Sequence, residues 1–137
     1  MQSIKFCGYA SVFNNVDAAN DVVLPGAFKH INFIKNKGVK LLLNHNCNSQ
    51  IGWIQNIKTD DKGLYVEGVV DHTMPNFSAA KNAIKKGFCG LSIGYYSKKT
   101  HANKIFNRRY LESVALDEIS IVQNPANCKA VINFIDL

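Results

Sequence analysis

The sequence lacks any run approaching the roughly 18 to 20 consecutive apolar residues that a membrane-spanning helix requires. Its first residues, Met1-Gln2-Ser3-Ile4-Lys5-Phe6, enter an alternating pattern without the apolar stretch of a secretory signal. The expectation is a soluble protein, with no membrane partner, that stays where it is made. Cysteines are sparse and scattered: Cys7, Cys47, Cys89 and Cys128 include no CxxC pair. Without a secretory context this argues against a disulfide framework and leaves reduced, mostly buried thiols as the expectation. Structural zinc sites draw their ligands in close pairs, and only His45-Asn46-Cys47 has such spacing, so no metal or other cofactor is expected. No internal repeat or low-complexity linker breaks the chain. No aromatic residues interleave with a dense basic run, as a reader of single-stranded nucleic acid would need.

What is present fits one domain spanning residues 1–137. A hydrophobic fraction of 47% against 19% charged residues supports a packed core and excludes wholesale disorder. Lysine plus arginine number 16 and the acids 10, a net charge of +6 that would draw the chain to an acidic partner. The basic residues concentrate in 29–40, 81–86 and 98–109. Charge alone carries the case for nucleic acid, so nucleic acid is not the expected partner.

Period-two alternation dominates and predicts strands over residues 4–13, 39–45, 51–59, 64–70, 89–98, 110–122 and 130–135. Asn14 to Asp21 reads as a polar turn region, and Asp60-Asp61-Lys62-Gly63 is a hairpin-turn signal between two of the strands. Pro25-Gly26-Ala27-Phe28 opens a predicted helix, with Phe28, Ile31 and Ile34 on one face and Gly38 closing it. Pro75 starts a second helix through Ala79, Ala80, Ala83 and Ile84, ended by Gly87. This order does not alternate strand and helix as a doubly wound α/β sheet would. It predicts a mainly β, α+β fold: a small, largely antiparallel barrel of about seven strands with flanking helices.

Gly90-Leu91-Ser92-Ile93-Gly94 matches G-x-S-x-G by letter, yet the helix-like segment precedes it and the strand-like segment comes after. That is the reverse of the α/β-hydrolase elbow, and that fold is rejected. Alternation instead sets Ser92 on a face with Gly90 and Gly94, opposite Leu91, Ile93 and Tyr95. A hydroxyl between two glycines has open space for an approaching extended backbone; the competing reading is a barrel corner that needs small residues. A nucleophilic serine needs a base. Among His30, His45, His72 and His101, His45 stands out because it ends the run Leu41-Leu42-Leu43-Asn44, on the strand face of Leu41 and Leu43. It reads equally as a core histidine with a backbone partner. The base needs an orienting carboxylate, and Glu118 shares a face with Leu116, Ser120 and Val122, where an unpaired charge is costly. Asp117 lies on the opposite face, so the two acids cannot both serve; a surface-facing strand glutamate is the plainer reading of Glu118.

Several segments in order carry a resemblance: Gly8 to Phe13 with Asp17, Asp21 with Pro25 to Phe28, and Leu41 to His45 followed by Ile51-Gly52. Gly63 to Gly68, Gly90 to Tyr95, and Leu116 to Val122 with Pro125-Ala126-Asn127 complete the set. With these the chain resembles the prohead proteases of tailed bacteriophages and, more distantly, the herpesvirus assemblin proteases. The resemblance implies an assemblin-like barrel and a serine endopeptidase, with Ser92 as nucleophile, His45 as general base and Glu118 as orienting acid. It also implies a substrate, the scaffolding protein or the scaffolding extension of the major capsid protein, together with the protease itself. The place of action would be the procapsid, in the host cytoplasm, and a homodimer is expected by analogy with assemblins. The rival within the same fold is a catalytically silent scaffold-binding domain. A cysteine hydrolase using Cys89 would need Cys89 on the Ser92 face, whereas alternation places it with Leu91. The chain is short for this family, Asn20 replaces the usual glycine before Asp21, and Gln50 stands where a proline often precedes Ile-Gly.

Overall fold

A computed structural model describes residues 2–29, 39–103, 107–126 and 129–134. Strand succeeds strand: β1 (Ile4–Val12), β2 (Asp21–Val23), β3 (Val39–Leu43), β4 (Asn46–Thr59) and β5 (Gly63–Val70). The helix α1 (Phe77–Lys85) separates these from β6 (Gly90–Asn103), β7 (Arg108–Val122) and β8 (Ile132–Phe134). The strands form one curled sheet in the order β2-β7-β3-β4-β5-β1-β8, with β6 on the other side of β7. A bridge between Gly90 and Val131 ties the start of β6 back towards β8, so the sheet curls round on itself. Backbone bonds from Leu91 N–H to Ala130 C=O (2.8 Å) and from Ile132 N–H to Cys89 C=O (2.8 Å) reinforce that seam.

The inward register explains the closure. In β5, Leu64, Val66, Gly68 and Val70 are buried while Tyr65, Glu67 and Val69 alternate outward. Phe6, Leu41, Ile51, Leu91, Leu111, Ile119 and Ile121 join them in a core fully shielded from water. One face of α1 adds Phe77, Ala80 and Ile84 to that core. Gly68 is required inside: a Cβ there would lie 2.6 Å from the Phe6 ring.

The mainly β, curled-sheet architecture agrees with the expectation, with differences of detail. The pairing is largely antiparallel, but β7 runs parallel to both β2 and β3. β2 is an eighth strand, three residues long, and it starts at Asp21, where the polar turn region was expected to end. The strand expected over 39–45 stops at Leu43, and its partner begins at Asn46 rather than Ile51. Pro25 to Lys29 are turn; the remainder of the helix expected to Gly38, with Ile31 and Ile34, lies outside the described residues. The thiols are less buried than expected. Cys7 takes an outward register on β1 and is partly exposed, Cys47 sits on the exposed start of β4, and Cys89 in the turn before β6. All three are free, and Cys128 lies outside the described residues.

Candidate active site

His45 does not sit on a strand. Leu43 pairs with Asn46, so Asn44 and His45 are the whole loop of the β3–β4 hairpin. Both have positive φ, 53° and 58°, as the two central residues of a type I′ turn must. Asparagine tolerates that region through its short polar side chain, and histidine is enriched there among non-glycine residues. Two backbone N–H donors hold the turn against β7: Asn44 N–H donates to Ile121 C=O (3.1 Å) and His45 N–H to the Ser120 side-chain Oγ (2.9 Å).

β7 lies between the strand that leads to His45 and the strand that carries Ser92. On one side Leu41, Leu42 and Leu43 pair with Ile119, Ser120 and Ile121; on the other, Ser92 stands opposite Ser120 and Gly94 opposite Glu118. Because facing residues in a ladder project to the same side, Ser92, Ser120 and Glu118 share a face. Ile119, Ile121 and Leu91 take the other face and enter the core. A register shift falls at Asp117, which is exposed and apart from the site.

Three side chains are joined in a chain of hydrogen bonds. His45 Nε2 lies 3.0 Å from Ser92 Oγ, and Nδ1 lies 2.5 Å from Glu118 Oε1. A carboxylate can only accept, so the ring proton sits on Nδ1 and Nε2 is left to accept from the serine hydroxyl. Glu118 Oε2 is occupied as well, accepting from Ser120 Oγ at 2.8 Å. Ser92 is 9% exposed and the Glu118 side chain 10%, against 42% for His45, so the imidazole faces solvent while its partners do not. The hydrogen bond to Glu118 raises the His45 pKa above its ordinary value, partial burial opposes the rise, and the glutamate charge adds to it. The arrangement can move a proton from Ser92 to a base held in one tautomer.

The two glycines that flank Ser92 do not leave the open space expected of them. A Cβ on Gly90 would lie 2.6 Å from the Pro125 ring, and one on Gly94 would lie 2.2 Å from Glu118 Oε1. Gly94 is thus the floor on which the glutamate carboxylate rests. Gly94→Ala is expected to push Glu118 off Nδ1 and cost about a hundredfold in turnover, as displacements near 1 Å do. Turnover of an unaltered fold, checked by circular dichroism, measures it; full activity would show that the carboxylate can sit elsewhere.

Sequence reasoning missed Gly94 and Ser120 as parts of the site. Ser120 was visible on the Glu118 face, but its bond to His45 N–H depends on a turn read as strand. A small cavity of about 30 Å³ opens beside Ser92, lined in part by Ser11, Asp17, Ile93, Tyr95 and Ala126. Asp21, which also lines it and is 4% exposed, is bound at both oxygens by Arg109 (2.9 Å each) and at one by the Tyr95 hydroxyl (2.9 Å). The Arg109 bonds hold its carboxyl below the usual range, and its charge is already answered. His72 pairs with Ser3 at the surface (2.8 Å); His30 and the His101 side chain lie outside the described residues. Cys89 precedes β6 and is exposed. Of the segment after Pro125, Ala126 accepts a bond from Ala18 N–H (2.9 Å), and residues 127–128 lie outside the described residues. Among the described residues no helix is long and apolar enough to cross a membrane.

Comparison with known proteins places this fold. The prohead protease of Enterobacteria phage HK97 is 36% identical over 130 residues, covering 93% of this chain and 58% of the relative. The chain therefore spans under two thirds of that curated relative's length. Two solved structures share the fold at low identity. The capsid assembly protease of bacteriophage T4 superposes with a TM-score of 0.69 at 13% identity, covering 85% of this chain and 80% of the other. Kaposi's sarcoma-associated herpesvirus protease, bound to a hexapeptide phosphonate inhibitor, gives 0.68 at 11%, covering 98% and 65%. The sequence profile described as Caudovirus prohead serine protease matches residues 1–136, and the chain belongs to that family.

Proposed function

We propose that the protein is a serine endopeptidase of phage procapsid maturation. In this reading Ser92 is the nucleophile, His45 the general base and Glu118 the orienting acid. The observation that carries it is the unbroken path Ser92 Oγ–His45 Nε2 and His45 Nδ1–Glu118 Oε1. His45 takes the Ser92 proton as Oγ bonds to the scissile carbonyl carbon, and the carbonyl electrons move onto oxygen. Collapse of that intermediate breaks the C–N bond, and His45 delivers the proton to the leaving amine. Water then attacks the acyl-enzyme with His45 as base, releasing the acid and restoring Ser92. Glu118 keeps the proton on Nδ1 and stabilises the imidazolium formed between steps.

Family membership and the names of the relatives, a prohead protease and a capsid assembly protease, support the substrate class. It is the scaffolding protein, or the scaffolding extension of the major capsid protein, together with the chain itself, cut within the procapsid in the host cytoplasm. The net charge of +6 suits an acidic scaffold. A homodimer enters by analogy, since a herpesvirus protease of this fold is known with a dimer disruptor.

The test is the intact mass of wild type and Ser92→Ala after exposure to a fluorophosphonate. One adduct on wild type, absent from the variant, is expected. No adduct on wild type, even when co-expressed with a scaffold-bearing shell protein, would favour a silent scaffold-binding domain.

A further inference from the structure

Ser120 is fully buried, sits on the site face of β7 and makes two bonds that no catalytic step uses. Its hydroxyl accepts from His45 N–H at 2.9 Å and donates to Glu118 Oε2 at 2.8 Å. A hydroxyl has one proton and two lone pairs, so both bonds can exist together only in these directions. The same oxygen thereby fixes the backbone of the base and the rotation of the acid.

Each of those elements needs a restraint. The glutamate carboxylate can rotate about its last side-chain torsion, which is broad rather than confined to sharp wells. Holding Oε2 with Ser120 aims Oε1 at the ring. His45 occupies positive φ on a hairpin loop of two residues, and its N–H has no ladder partner. Ser120 Oγ supplies the acceptor, from the strand position directly opposite the nucleophile.

We infer that Ser120 is a positioning residue that locks base and acid into mutual register, coupling the His45 turn to the Glu118 carboxylate through one hydroxyl. The inference rests on the proposed protease reading. Ser120→Ala keeps the volume nearly unchanged and removes both bonds. Turnover should fall about 10- to 100-fold with KM unchanged, the size of effect that slight misplacement of reacting groups produces.

A structural role alone would lower thermal stability without touching the His45 titration, so that titration decides. It is read by NMR on histidine-labelled protein in the Ser92→Ala background, with and without Ser120→Ala. Loosening the Glu118 contact removes the main influence that raises the His45 pKa. The midpoint should therefore move down when Ser120 is replaced. An unmoved midpoint overturns the inference. So does an upward shift, which would mean the hydroxyl only drew charge from the carboxylate. The titration needs no substrate: if wild type failed to label with fluorophosphonate while the midpoint fell, the protease reading would fail while the coupling of the His45 turn to the Glu118 carboxylate through Ser120 would stand.

Discussion

Ser92→Ala is expected to lower kcat for scaffold cleavage by about a millionfold, and His45→Ala by a similar factor. The double variant should be no worse than either. Groups that act as one unit lose their whole contribution when any essential member is removed, so the penalties do not add. Single-turnover cleavage of a scaffold-bearing shell protein by the three variants measures this. Additive losses would mean that Ser92 and His45 act separately and that the 3.0 Å contact between them is incidental. Residual cleavage in all three should reflect binding and polarisation of the substrate carbonyl alone.

Glu118→Gln should cost about ten-thousandfold in kcat, because an amide can donate to Nδ1 where the carboxylate could only accept. The ring proton is then driven to Nε2, the nitrogen that in the proposed mechanism receives the Ser92 proton. The pH profile carries a second signature. As the proposed base, His45 would act when neutral, and its pKa is raised, so kcat/KM in wild type should climb through a midpoint above the ordinary 6.5. In Glu118→Gln that midpoint should fall, because the hydrogen bond and charge that raise it are gone. Stability runs the other way. A raised histidine pKa means the protonated His45–Glu118 pair stabilises the fold below the unfolded-state pKa, and this contribution disappears as pH rises through the folded-state value. Urea midpoints for wild type and Glu118→Gln should therefore differ most at mildly acid pH. Asp117→Asn, at an exposed register shift, serves as the control and should change neither profile. If Asp117→Asn proved the more damaging change, the acid would be misassigned.

The strand faces were legible because alternation is a local property. Leu91 and Ser92 point to opposite sides, and Glu118 and Ser120 share a side, whatever the sheet order. What pairs with what was not legible. The two-residue loop hid inside an apolar run, since Leu41-Leu42-Leu43 invites the strand to continue through His45. The one cue was Asn44, a residue suited to positive φ, but Asn-His is not the Asn-Gly that marks such hairpins most strongly. The glycines beside Ser92 were read as open because a sequence shows an absent side chain but not the Glu118 carboxylate and Pro125 ring that fill its place. β2 escaped because three residues carry too little period to register, and Asp21 meets its partner Arg109 in β7 from 88 residues away. Exposure of Cys47 and Cys89 depended on where β4 and β6 begin, whereas Cys7 lies mid-strand in β1 and alternates outward with Lys5.

The three site side chains come from a hairpin loop at residue 45, a strand at residue 92 and a strand at residue 118, joined through a sheet that curls round on itself. During synthesis His45 and Ser92 emerge well before the strand that sets the distance between them. A ribosome-bound chain that has reached Gly94 holds both reactive groups with nothing to align them. Only when residues 118–122 have emerged from the exit tunnel can the strand from His45 and the strand from Ser92 dock on either side of β7. On the proposed reading, a hydrolytic site laid out this way has a built-in delay, and truncated products that lack β7 are expected to be inert towards the nascent proteins around them.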